Sequence, residues 1–242
     1  MTDAPSSGGP PPPTRTLLAS WAAVVGGIAL ATAISRLEPT GLLRANLAGV
    51  AALLFILVPD RLLRQRGESW TAHGVPWWGA GDSRTWKAWG RGALAGAAVS
   101  ALVLPVFAAG LVAGARAAGL RVELVPRLPP GLLLAAAIQL VAVALPEELF
   151  YRGWMQTAWA RSPGRVRRVL GAELGPGFLA TQALFAAGHL VSLDPARLLT
   201  FFPGLLFGWL RARTGGVAAP AVAHALSNLL VLAMEASLRV SR

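Results

Sequence analysis

The chain has 242 residues, of which 55% are hydrophobic and only 14% charged. Soluble domains carry about a quarter charged residues, so an ordinary soluble enzyme is excluded. The apolar residues come in long runs rather than amphipathic stripes, which predicts an all-α polytopic transmembrane helix bundle of about seven (six to eight) spans. The net charge of +11 is almost entirely arginine, Lys87 being the only lysine. Basic residues placed between apolar runs set membrane topology and meet anionic headgroups, so the expected partner is the lipid bilayer and not nucleic acid. There is no cysteine, hence no disulfide, thiolate nucleophile or cysteine metal site. Richness in Ala, Gly, Arg and Pro with one lysine resembles the output of a GC-rich bacterial genome.

In chain order, residues 1–14 (MTDAPSSGGPPPPT) have nothing to bury and read as a disordered Pro-rich tail. They make a poor signal peptide, because the first cation, Arg15, follows the prolines. Residues 15–242 read as a single transmembrane domain. Its apolar segments are Thr16–Ser35, Leu42–Val58, Gly92–Ala115, Gly131–Trp159, Gly177–Leu193, Leu198–Arg211 and Val217–Ser237. The sixth is short against the roughly 20 residues that a span needs.

Between the second and third segments, Pro59–Arg91 carries Trp70, Trp77, Trp78, Trp86 and Trp89 among several arginines. That composition predicts an interfacial segment on the membrane surface, with substrate gating as the alternative. With seven spans, 13 basic residues fall on the N-terminal side and 8 on the other. The positive-inside rule then puts the N-terminus in the cytoplasm of a multi-pass inner-membrane protein.

Polar groups inside the spans are the informative ones, since a mid-helix charge costs roughly 2.5–3.5 kcal/mol on insertion scales. They fall in three places. Pro146-Glu147-Glu148-Leu149-Phe150-Tyr151-Arg152 lies well inside the fourth segment. Glu148 and Arg152, four apart in acid-before-base order, can neutralise each other. Glu147 points about a quarter turn away, with no local cation, and is free to act as a general base toward water. His189 closes Phe185-Ala-Ala-Gly-His189 late in the fifth segment, and His224 with Asn228 shares one helical face of the seventh. His73, in the interfacial loop, looks incidental.

Any one of these groups fits a structural role, a histidine as interhelical glue or Glu148–Arg152 as a buried pair. Together they suit chemistry. A carboxylate and a histidine can deprotonate water, while a second histidine and an asparagine can donate to a developing oxyanion. Direct water attack on an amide needs no serine or cysteine.

Glu147-Glu148-x-x-x-Arg152, then Phe185-x-x-x-His189, then His224-x-x-x-Asn228, resembles the CPBP intramembrane protease family in order and spacing. That family is also called Abi, or type II CAAX prenyl endopeptidase-like. Arg152-Gly153 and the Gly208–Gly215 stretch agree as well. The resemblance covers roughly Ala135 to Val231 and implies a catalytic core at about residues 131–237. It implies a glutamic-type intramembrane endopeptidase in which Glu147 activates water with help from His189. His224 and Asn228 then form the oxyanion hole, and Glu148 and Arg152 support the site. The implied partner is a membrane-associated protein or peptide, with C-terminal sorting-tag processing as one form of the activity.

No cofactor is expected. Zinc held by His189, His224, Glu147 and Glu148 is the alternative, although the His-Glu-x-x-His signature of soluble zinc proteases is absent. Two other functions compete: a non-catalytic immunity or scaffold protein that keeps the protease fold, and a proton-coupled transporter.

Overall fold

A computed structural model of the chain describes residues 9–75 and 83–241. It is an all-α bundle. The N-terminal helices are α1 (Thr14–Leu37), the single turn α2 (Leu42–Ala45), α3 (Leu47–Gln65) and α4 (Ser83–Ala117). They are followed by α5 (Leu132–Ala160), α6 (Phe178–Gly188), α7 (Phe201–Thr214) and α8 (Ala218–Ser237). Of these, α1, α5, α8 and the Thr85–Ala117 part of α4 are long and apolar enough to cross a membrane. The expected segments each find a helix, but α3 and α4 run further than their apolar windows. Arg61 and Arg64 continue α3, and Arg84, Lys87 and Arg91 lie within α4.

Two small antiparallel ribbons that hydrophobic periodicity did not suggest sit at opposite ends of the bundle. Strand β1 (Arg121–Leu124) pairs with β4 (Leu238–Ser241) beyond the C-terminal ends of α4 and α8. Strand β2 (Arg167–Val169) pairs with β3 (Ala172–Leu174) between α5 and α6. Such three- and four-residue strands are too short for a periodic signal.

Helix α4 packs chiefly on α8. Gly92 and Gly96 make this possible, since a Cβ at Gly96 would lie 2.3 Å from the Ala219 carbonyl oxygen and one at Gly92 would lie 2.9 Å from the Ala218 Cβ. Small residues four apart let two backbones touch, which membrane helices use because lipid offers no hydrophobic drive between them. The core itself gathers around α5, where Phe150, Tyr151, Trp154 and Met155 are fully buried among Leu17, Val24, Leu63, Phe185 and Phe207.

The Trp/Arg-rich stretch is a shorter connection than expected, since helices occupy both of its ends. Trp77 and Trp78 lie outside the described residues. Trp70 donates to Asp60 at 3.1 Å, and Trp86 is exposed. His73 corrects the incidental reading, because it is completely buried. Its Nδ1 donates to the Gly153 carbonyl of α5 at 2.9 Å, and its Nε2 lies 2.8 Å from Glu68. Glu68 also accepts from Arg66 at 2.8 Å and from Arg161 at 2.6 Å. Burial pushes its carboxyl up, but hydrogen bonds from His73, Arg161 and Arg66 outweigh that and hold it down at about 2. This ionic knot ties the loop after α3 to the end of α5. In the Pro-rich segment Pro12 is buried, the Pro10 carbonyl accepts from Arg66, and residues 1–8 lie outside the described part.

Candidate active site

The polar residues of the three motifs are carried by α5, the end of α6, and α8. At about 1.5 Å per residue, Glu147 is about 20 Å up α5 from Ala160, His189 about 17 Å up α6 from Phe178, and Asn228 about 15 Å up α8 from Ala218. Those starting points share one end of the bundle, because Gly177 packs on Trp159 and Arg211 bonds both Thr157 and the His73 carbonyl. The three motifs therefore reach a common depth.

Helix α5 is not regular there. Its backbone is π-helical over Gln139–Ala144 and again over Leu149–Gln156, on either side of Leu145-Pro146-Glu147-Glu148. Pro146 cannot donate a backbone hydrogen bond and crowds the turn before it. Widened turns of this kind are often found at functional sites, where they re-aim side chains.

The two adjacent glutamates have different surroundings. Glu148 is fully buried, and its Oε1 accepts from Arg152 Nη1 at 2.8 Å and from His224 Nδ1 at 2.9 Å. Glu147 is part-exposed and makes no side-chain hydrogen bond among the described residues, and the Oε2 atoms of both glutamates are buried without a partner. Expecting Glu148 to pair with Arg152 was correct, whereas the bond from Glu148 to His224 was not anticipated.

Arg152 holds three helices together. Its Nη2 donates to Gln182 of α6 at 2.7 Å and to the Gly204 carbonyl of α7 at 3.0 Å. The guanidinium also lies over the Phe185 ring at 4.4 Å. One turn along, Gln156 donates to the Gly208 carbonyl at 2.9 Å. Gly204 and Gly208 open those carbonyls to side chains. A Cβ at Gly208 would come within 2.5 Å of Gln182 and 2.9 Å of Gln156, and one at Gly204 within 3.4 Å of Arg152.

The histidines sit on two sides of Phe185. The His189 ring is 4.8 Å from it edge-on, and the His224 ring 5.7 Å, with His224 also stacked on Phe207 at 4.8 Å. His189 Nδ1 donates to the Phe185 carbonyl at 2.8 Å, which leaves Nε2 as the free nitrogen. Tyr151, one turn from Glu147 on α5, packs edge-on against Phe185 at 5.1 Å. Its hydroxyl lies against Gly188, where a Cβ would come within 2.7 Å, so the Glu147 face of α5 meets the chain beside His189. Asn228 donates to Gln139 of α5 at 2.8 Å. Glu147 and His189 do not hydrogen-bond each other, and His224 and Asn228 are bound to different partners.

Gln139, Gln156 and Gln182 were missed in the sequence. The rule that singled out the charges, a strong hydrogen-bonding group inside an apolar run, applies to glutamine as well. Among the described residues, no group of three or more His, Asp or Glu side chains is arranged to hold a metal ion. His224 and Glu148 bond each other while His189 faces Phe185, so the zinc set named above does not fit as a ligand group.

Residues 129–230 match the family described as type II CAAX prenyl endopeptidase Rce1-like. Over that stretch the chain is similar to this family. The match begins just before α5 and ends within α8, so it takes in all three motifs and the polar network between them. No curated protein and no solved structure matches the chain. The similarity to the Rce1-like family and the four long apolar helices point to a membrane protein and support a peptidase role in general.

Proposed function

We propose that the protein is an intramembrane endopeptidase of the glutamic type, with Glu147 as the base. The observation that carries this reading is the division between the two glutamates. Glu148 is fully buried and committed through Oε1 to Arg152 and His224, whereas Glu147 is part-exposed and, among the described residues, has no hydrogen-bond partner on its side chain. A carboxylate so placed accepts a proton from water, and the hydroxide attacks the carbonyl carbon of a peptide bond. The oxyanion then needs donors. Asn228 gives one Nδ2 proton to Gln139 and keeps the other for this purpose. With Glu148 on Nδ1, His224 offers a second donor at Nε2 when its ring carries both protons. Collapse of the intermediate breaks the C–N bond as the proton held by Glu147 passes to the leaving nitrogen. The free nitrogen of His189 supports Glu147 in holding the water.

The substrate in this reading is a membrane-associated protein or peptide cut at or within the bilayer, with sorting-tag removal as one such reaction. The test compares protein termini in host membranes and culture fluid between wild type and Glu147→Gln. New termini beside a transmembrane segment that vanish in the variant are expected. Identical profiles from two equally abundant proteins would leave a non-catalytic scaffold as the better account.

A further inference from the structure

At the arginine-rich end of the bundle, a cavity of about 660 Å³ opens between α4, the turn at Thr71, Ala72 and Gly74, the end of α7 and the start of α8. Three arginines line it: Arg91 of α4, and Arg211 and Arg213 of α7. Among the described residues, none of the three has a carboxylate partner. Arg211 is the most constrained, since its Nη2 is used by Thr157 and the His73 carbonyl while its Nε is buried without an acceptor. Leaving the buried Arg211 Nε unpaired is costly, and an anion in the cavity, reached also by the exposed Arg91 and Arg213, offsets that cost.

Two further features favour an anion. Helix α8, 20 residues long, starts at the cavity wall with Ala218, and its N-cap residue Val217 provides no side-chain cap. The positive end of that helix therefore adds to the three guanidinium groups. The rest of the wall is mixed, with the Thr71 and Thr214 residues beside Ala72, Ala88 and Trp89. A charged patch rimmed by tryptophan and alanine, at the membrane end with most arginines, suits a headgroup whose acyl chains continue along α4.

We propose that this cavity is a phosphate-binding site, and its position favours the headgroup of an anionic phospholipid as the source. The site is separate from the Glu147 region, so it does not depend on the proteolytic reading.

The experiment uses the full chain, purified in detergent or placed in phosphatidylcholine nanodiscs. Phosphatidylglycerol retention is measured by native mass spectrometry, alongside thermal unfolding with added phosphatidylglycerol or inorganic phosphate. Arg91→Gln/Arg213→Gln is compared with Arg121→Gln/Arg127→Gln, which removes equal charge at the opposite end. Arg211 is left intact because its hydrogen bonds also hold the fold. We expect the first double variant to bind phosphatidylglycerol about tenfold more weakly or worse, the loss of one to two charge-assisted contacts. The control is expected to change by about twofold or less. Stabilisation by inorganic phosphate that disappears in the first variant would keep the site and assign it to a soluble phosphate. Equal lipid binding by both variants, without any phosphate effect, would overturn the proposal.

Discussion

Glu148 and His224 meet at 2.9 Å although 76 residues of sequence separate them. The same carboxylate oxygen is bound by Arg152 one turn away, so a single buried atom joins α5 to α8 directly and to α6 and α7 through Arg152. Burying an ion pair is not stabilising in itself, but removing one partner leaves the other charged and unsolvated.

Arg152→Ala and Glu148→Gln are therefore both expected to lose about 3–5 kcal/mol of stability. Glu147→Gln is expected to stay close to wild type, because its side chain is part-exposed and makes no hydrogen bond among the described residues. Yield and thermal unfolding of the three variants in detergent check this. Similar behaviour of Glu147→Gln and Glu148→Gln would contradict the division of roles.

Gln182 is fully buried and shares its amide between Arg152, Gln156 and the Phe178 carbonyl. Gln182→Leu takes an acceptor from Arg152 and is expected to cost about 1–3 kcal/mol. Gln182→Glu, which keeps the acceptor, should restore part of it, and denaturant unfolding would read both.

Gln139 orients Asn228, so Gln139→Leu is expected to lower kcat with little change in KM. Removing an oxyanion donor outright costs about 100- to 1,000-fold. Losing only its anchor should cost less, on the order of tenfold. A rise in KM at unchanged kcat would place Asn228 in substrate binding instead.

Gly96→Leu forces a side chain into the Ala219 carbonyl, which is backbone and cannot swing away. Separation of α4 from α8 is expected, with a loss of about 1–3 kcal/mol or more. Gly110→Leu, where nothing lies within 4 Å of the Cβ position, is the matched control and should be neutral.

Stability should also fall in acid through Glu68. Against the upward push of burial, the hydrogen bonds from His73, Arg161 and Arg66 hold its carboxyl down to about 2, from an ordinary 4.5. A depressed carboxylate contributes above the unfolded value, and that contribution disappears as pH falls from about 4.5 toward about 2. Unfolding temperatures across this range should drop more steeply for wild type than for Glu68→Gln. Parallel curves would mean that the ionic knot around His73 contributes nothing.

The sequence by itself determined the all-α membrane architecture, because runs such as Gly131–Trp159 can satisfy their backbone in lipid only as helices. It also singled out Glu147, Glu148, Arg152, His189, His224 and Asn228, since a polar group in an apolar run is conspicuous without any structure. The i,i+4 pairing of Glu148 with Arg152 was legible for the same local reason. Tertiary structure alone decided the rest. That His224 binds Glu148, that Gln182 and the Gly204 carbonyl hold Arg152, and that Gln139 holds Asn228 depends on which helices are neighbours and how the π-turns of α5 aim their side chains. His73 passed from incidental to buried because Glu68, Arg161 and Gly153 meet it only when the loop folds back onto α5. Spacing along one helix fixes which of its residues share a face; which face meets another helix is set by close packing at glycines such as Gly96, Gly204 and Gly208, and that is a property of the assembled bundle.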